Sequence, residues 1–331
     1  MANFLKKYKF LLLILVTAVI IVLLAIPWGK GAGKEKAEPP KTLVEQLEAM
    51  EVPELPEKTE KAPQEKLAAV WNISKAKRGD VVKGLTNIKG GVLIDATKGD
   101  VLWAKNEKTS LEIASMTKMM TTLLAVEADQ RDEAKLDGMV KVSAAASKIG
   151  GSQVYLAEKE QFSLEDLLKC VMIMSANDAA FAVAETLGGN VDDFVGMMNK
   201  RAGQLGMKAT KFYNPHGLPQ KGANNKSSAL DMAMLARELL KYPKLLEWTS
   251  TRLDTFRDGK FQLSNRNGLI GRCQGVDGLK TGFYAQAGFC VTATCLRNDR
   301  RMILVVIGAP SKKERDDAVK NLLNWGYQQK L

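Results

Sequence analysis

The chain has 331 residues, 46% hydrophobic and 26% charged, with 48 Lys+Arg against 37 Asp+Glu for a formal charge of +11. That composition suits one sizeable globular domain with attachments. A nucleic-acid binder is a poor fit on pattern: the chain has no zinc-ligand spacing, no recognisable binding motif and no basic run interleaved with aromatics. The positive charge of the globular part is compatible with anionic polymers or a membrane surface, and equally with ordinary solvation.

In chain order, Lys6, Lys7 and Lys9 precede an apolar run, Phe10–Ile26, interrupted by Thr17. A basic segment before an apolar core is an export signal. At 17 residues the run is short for a spanning helix and long for a cleaved core. These features favour an uncleaved anchor over residues 1–28, with the rest of the chain outside the cytoplasm. The competing arrangement is a signal cut near Gly31-Ala32-Gly33, which would release a secreted protein. Residues 29–66 hold five of the ten prolines among alternating Lys and Glu, a composition that cannot bury a core. About 40 such residues reach roughly 35 Å, as a tether.

The globular part is expected over 67–331. Gly91–Asp95 and Val101–Ala104, joined at Thr97–Asp100, predict a β-hairpin. A buried helix is predicted from Ser115, short strands at Met139–Ser143 and Gln153–Leu156, and a helix capped by Ser163 through Met174. Helices over Asp178–Leu187, Val191–Leu205 and Ser228–Lys241 follow, and then the short segment Pro243–Trp248. From Arg252 the pattern turns β, with a hairpin at Arg252–Phe256 and Lys260–Ser264 and strands at Gly275–Tyr284, Ala287–Leu296 and Met302–Gly308. A last helix is predicted at Lys313–Gln328. Consecutive strands with short turns indicate an antiparallel sheet, so the fold class is α+β. Cys170, Cys273, Cys290 and Cys295 lack C-x-x-C spacing and a histidine partner, which favours buried thiols over one disulfide and gives no metal site.

Two S-x-x-K matches occur, at Ser74–Lys77 and Ser115–Lys118. The spacing puts an amine one helical turn from a hydroxyl, where it can take the serine proton. Ser74 runs into polar Lys75–Asp80. Ser115 runs into Met119, Met120, Leu123, Leu124, Ala125 and Val126, and its N–H lies at the positive end of a helix dipole. Downstream stand Ser175-Ala176-Asn177, which also suits helix capping, and Lys280-Thr281-Gly282, where glycine allows close backbone approach. The one histidine, His216, lies in the turn Asn214-Pro-His-Gly-Leu218 and favours a structural role, because no G-x-S-x-G surrounds any serine.

The ordered set S-x-x-K, S-x-N, K-T-G resembles that of penicillin-binding proteins and serine β-lactamases. With Ala114–Thr121, Ser175–Asp178, Asn214–Leu218 and Asp277–Gly282 followed by Ala287-Gly288, the stretch from Gly90 to Tyr327 resembles the low-molecular-weight penicillin-binding proteins, serine D-alanyl-D-alanine carboxypeptidases of the S11 class. The resemblance implies a β-lactamase/transpeptidase-like fold with a helical cluster against the sheet. It implies that Ser115 attacks the penultimate D-alanine carbonyl of a peptidoglycan stem peptide, Lys118 accepts its proton and Ser175 relays it to the leaving D-alanine. It also implies that Asn177 binds the substrate backbone, that the N–H groups of Ser115 and Phe283 form the oxyanion hole, and that Lys280, Thr281 and Arg315 hold the terminal carboxylate. β-Lactams would acylate Ser115 and inhibit, with no cofactor or metal. Two departures from the family pattern are expected. The second β-rich domain and carboxy-terminal anchor of many members are not seen after the catalytic part, so the amino-terminal segment is expected to do the tethering. The residue after K-T-G, which varies in the family, is Phe283, which can contribute only its backbone N–H. A β-lactamase, a transpeptidase and a catalytically silent wall-binding module remain as alternatives.

Overall fold

The computed structural model describes residues 67–329; the expected membrane segment and linker lie outside the described residues. β1 (Gly90–Asp95) and β2 (Asp100–Lys105) form the expected hairpin. β3 (Leu111–Glu112) leads through one 3-10 turn, Ala114–Thr117, into α1 (Lys118–Gln130). β4 (Met139–Lys141) pairs with β5 (Gln161–Ser163). Ser163 caps α2 (Leu164–Lys169) by accepting the Asp166 N–H, and α2 continues into a π-helical turn at Cys170–Met174. Then come α3 (Asn177–Gly188), α4 (Val191–Gln204), β6 (Lys226–Ser227), α5 (Ala229–Leu239) and α6 (Pro243–Ser250). The chain closes with the hairpin β7 (Leu253–Phe256) and β8 (Phe261–Ser264), then β9 (Val276–Tyr284), β10 (Gly288–Arg297), β11 (Arg300–Ala309) and α7 (Lys312–Gln328).

The main sheet is antiparallel, in the order β2-β1-β11-β10-β9. Both faces are covered, which is why β11 reads as an unbroken apolar run rather than an alternating one. Leu304 and Val306 point towards Ala318, Val319, Leu322 and Leu323 of α7. Their neighbours Ile303, Val305 and Ile307 point the other way, into a core shared with Met119, Met120 and Leu123 of α1 and Met232 and Ala236 of α5. α1 is buried on nearly every face, as its sequence requires. β9 is left at the sheet edge, beside the amino-terminal end of α1.

Gln153–Leu156 is not a strand. The N–H groups of Val154 and Leu156, which a ladder would use, go instead to the carboxylate of Asp178. Tyr155 between them has φ 55, outside the extended region. The partner of β4 is Gln161–Ser163. All four cysteines are buried free thiols.

Candidate active site

Ser115 lies in the 3-10 turn that precedes α1, so the α-helix itself starts at Lys118 rather than at the serine. Ala114 takes φ 47, and two glycines press close on its backbone. A Cβ on Gly217 (φ +82) would fall 2.1 Å from Ala114 O, and one on Gly282 would fall 2.6 Å from Ile113 O and 3.1 Å from Ser115 N. No larger side chain fits either position without moving the serine. The glycine of K-T-G is therefore required by the protein's own backbone, where the sequence suggested room for a substrate.

The Asn214–Leu218 turn is tied to α1 by a polar network. Asn214 Oδ1 accepts the N–H groups of His216 and Gly217. Asn225 Nδ2 donates to Thr117 Oγ1 at 2.9 Å and to Asn214 O at 2.9 Å, and Thr121 Oγ1 donates to Pro215 O. The His216 ring plays the structural part: its Nδ1 accepts the Leu218 N–H, and burial, with the Lys118 charge second, lowers its pKa to about 3.

Lys118 is fully buried. Its Nζ lies 3.1 Å from Ser115 Oγ, 2.6 Å from Asn177 Oδ1 and 2.6 Å from His216 O. The last two partners can only accept, so they claim two N–H bonds in either protonation state. The third position faces a hydroxyl that can donate or accept. A neutral amine thus aims its lone pair at Ser115. Burial, and then the charge of Lys280, push the Lys118 pKa well below its ordinary value. An ordinary lysine, with a pKa of about 10.4, is neutral only about once in 2,500 at pH 7. The shift decides whether Lys118 can act as a base.

Ser175 and Asn177 arrive from the junction of the π turn and α3. Ser175 is held at φ 65, a left-handed conformation costly for a non-glycine residue, and its hydroxyl makes no hydrogen bond among the described residues. It therefore makes no hydrogen bond to Lys118 or Lys280 here. Asn177 donates from Nδ2 to Gly150 O at 2.7 Å, which fixes Oδ1 on the Lys118 side. Neither residue caps α3, whose N-cap is Ala176 without a side-chain bond.

Lys280 and Thr281 are also buried, on β9. Burial, then the charges of Arg266 and Arg315, lower the Lys280 pKa to about 7. Arg315 is buried at the start of α7 and pairs with Asp316 at 2.6 Å. Arg266 is exposed and donates to Met174 O, next to Ser175. Phe283 follows Gly282, leaving its backbone near the serine turn while its ring, 55% exposed, stacks on Phe289. Among the described residues no group of side chains is placed to hold a metal ion.

The family profile of D-alanyl-D-alanine carboxypeptidases matches residues 85–311. The chain belongs to this family. The D-alanyl-D-alanine carboxypeptidase DacF of Bacillus subtilis is 43% identical over 244 residues, covering 73% of this chain and 62% of that protein. DacD of Escherichia coli is 37% identical, over 72% of this chain and 62% of its own length. The chain thus spans about three fifths of the length of these curated relatives. Penicillin-binding protein D2 from Listeria monocytogenes, solved in an ampicillin-bound form, superposes with a TM-score of 0.67 at 31% identity, over 73% of this chain and 98% of that one. Penicillin binding protein 5 from Haemophilus influenzae gives a TM-score of 0.69 at 36% identity, over 73% and 71%. This family member thus shares the penicillin-binding-protein fold, with its antiparallel sheet and helices.

The structure adds parts for which the sequence offered no role: the His216 carbonyl, Gly217, Asp178 and Arg266. The first three lie within stretches that carry the family resemblance, and Arg266 lies in none.

Proposed function

We propose that this chain is a serine D-Ala-D-Ala carboxypeptidase that removes the terminal D-alanine from peptidoglycan stem peptides. The observation that carries the proposal is the buried Lys118 amine 3.1 Å from Ser115 Oγ, with its other partners confined to acceptors. Lys118 takes the proton of Ser115 as the hydroxyl attacks the penultimate carbonyl, and an acyl-enzyme forms with departure of D-alanine. Ser175, whose hydroxyl is uncommitted, passes a proton to the leaving amine. Ser115 N–H and Phe283 N–H face the developing oxyanion. Asn177 orients Lys118 and offers its remaining N–H to the substrate backbone.

The terminal carboxylate has a reason to bind here. Lys280, Arg266 and Arg315 gather positive charge, of which Asp316 balances part, and their mutual repulsion is what an anionic chain end relieves. Thr281, next along β9 and buried, is the further group that the family resemblance assigns to this carboxylate. The same acylation chemistry makes Ser115 the target of β-lactams. Incubation with a muropeptide ending in D-Ala-D-Ala tests the proposal: a product lighter by one alanine is expected. Transfer of the acyl group to an added amine instead would favour the transpeptidase, and no product with either would favour the silent module.

We further propose that Phe10–Ile26 holds the domain at the extracytoplasmic face of the membrane, on the strength of its basic flank and apolar length. The membrane-bound protein should keep Met1, and deletion of 1–28 should release a soluble, active domain. A mature amino terminus near Lys34 would identify a removed signal.

A further inference from the structure

We infer that Asp178 is a positioning residue for the Ser115–Lys118 pair, acting through the Gly150–Leu156 loop and Asn177. The inference rests on the proposal that Lys118 is the base. Asp178 is wholly buried at the start of α3, and no ion pair within the described residues compensates it. Backbone N–H groups do so instead. Its Oδ2 accepts from Val154 and Leu156 at 3.1 Å each, and its Oδ1 accepts from Ala179 at 2.9 Å. A buried carboxylate holds such donors firmly.

What it holds is the far half of a loop whose near half sets Asn177. Ser152 O accepts the Asn177 N–H at 2.7 Å, Ser152 Oγ donates to Met174 O, and Gly150 O accepts from Asn177 Nδ2 at 2.7 Å. From the other side Arg257 grips the same segment, donating to Val154 O at 2.6 Å and Tyr155 O at 2.8 Å. The fit leaves no slack: a Cβ on Gly151 would lie 2.7 Å from Asn177 Nδ2. The bond to Gly150 O is what tells the two ends of the Asn177 amide apart. Without it the amide can turn over and present N–H groups to Lys118, which then loses an acceptor and its aim at Ser115. Asp178 also acts by charge. Lys118 is faced by the cation Lys280, by neutral His216 and by Asp178, the one negative group among them.

The two actions separate in a pH profile. In the full-length protein, Asp178→Asn keeps the shape and removes the charge. The rate of acylation by a fluorescent penicillin at neutral pH should fall roughly 10–100-fold, the scale of a small misplacement of a reacting group. The low-pH limb of that rate should also move to lower pH, because the group that favoured the charged form of Lys118 is gone. Arg257→Gln loosens the same loop without changing charge near Lys118, so its rate should fall with the limb unmoved. This variant also decides the matter if Asp178→Asn does not fold. Wild-type rate and limb in Asp178→Asn, a lowered rate with an unmoved limb in that variant, or an unchanged rate in Arg257→Gln would each overturn the inference. A wild-type profile without any low-pH limb would instead overturn the base assignment beneath it.

Discussion

At the scale of single residues, burial decides between two serines with the same spacing to a lysine. Ser74 is exposed and, among the described residues, its side chain bonds to Asn72, with Lys77 exposed beyond it. Ser115 has a lysine with no access to water. Ser115→Ala should therefore abolish covalent labelling by a fluorescent penicillin, and Ser74→Ala should leave it intact; persistent labelling of the first would refute the assignment. The second buried lysine sets a pH limit. With its pKa lowered to about 7, Lys280 is charged below that pH and loses the charge as pH rises through it. Carboxylate binding needs the charged form, so kcat/KM for a peptide should decline on the alkaline side with an apparent pKa near that value. Esterifying the peptide's carboxylate should remove this decline. A profile flat to pH 9 would count against Lys280 as the carboxylate ligand.

At the scale of elements, the serine turn is shaped by what presses on it. Gly217→Ala puts a methyl group into the Ala114 carbonyl at a positive φ. The strain alone is worth about 1–3 kcal/mol. Thermal unfolding should shift down by several degrees, and acylation should drop by about 10²-fold, since a displacement near 1 Å has that effect on chemistry. A variant as stable and active as wild type would show that the turn is not clamped. Helices and strands were legible in the sequence wherever one periodicity held: Ser163 caps the helix that follows it, as expected, and β9 to β11 lie within two residues of their expected bounds. Failure came where a distant side chain replaced a local partner. Gln153–Leu156 has a strand's composition, but Asp178 takes its N–H groups, and nothing near residue 154 announces that. Likewise the motifs marked Ser115, Lys118, Asn177 and Lys280, but the His216 carbonyl that completes the Lys118 environment belongs to the backbone, where side-chain identity carries no signal.

At the scale of the whole molecule, the question is how the acyl group leaves. The carboxylate that acts on Lys118 is Asp178, and its oxygens are committed to backbone N–H groups. The chain also has no glutamate between Glu185 and Glu238, where a class A β-lactamase places its water-activating residue. In the proposed mechanism Lys118 then activates water without help, which suits a small peptide acyl group better than a bulky penicilloyl group. One general base is worth about 10²–10⁴-fold. Release of bound penicillin should be slower than peptide turnover by a factor of that order, and rapid penicillin hydrolysis without D-alanine release would reassign the chain as a β-lactamase.

All of this chemistry depends on Lys118 being neutral when the substrate arrives. The pH dependence of Ser115 acylation in a single turnover, followed with a fluorescent penicillin whose own ionisation lies outside the range, tests that directly. Because burial and Lys280 hold the Lys118 pKa well below 10.5, the rate at saturating penicillin, where binding through Lys280 is not limiting, should already be on its plateau at neutral pH and fall on acidification. A rate that climbs steadily from pH 7 towards pH 10, as an ordinary lysine sheds its proton, would contradict the account.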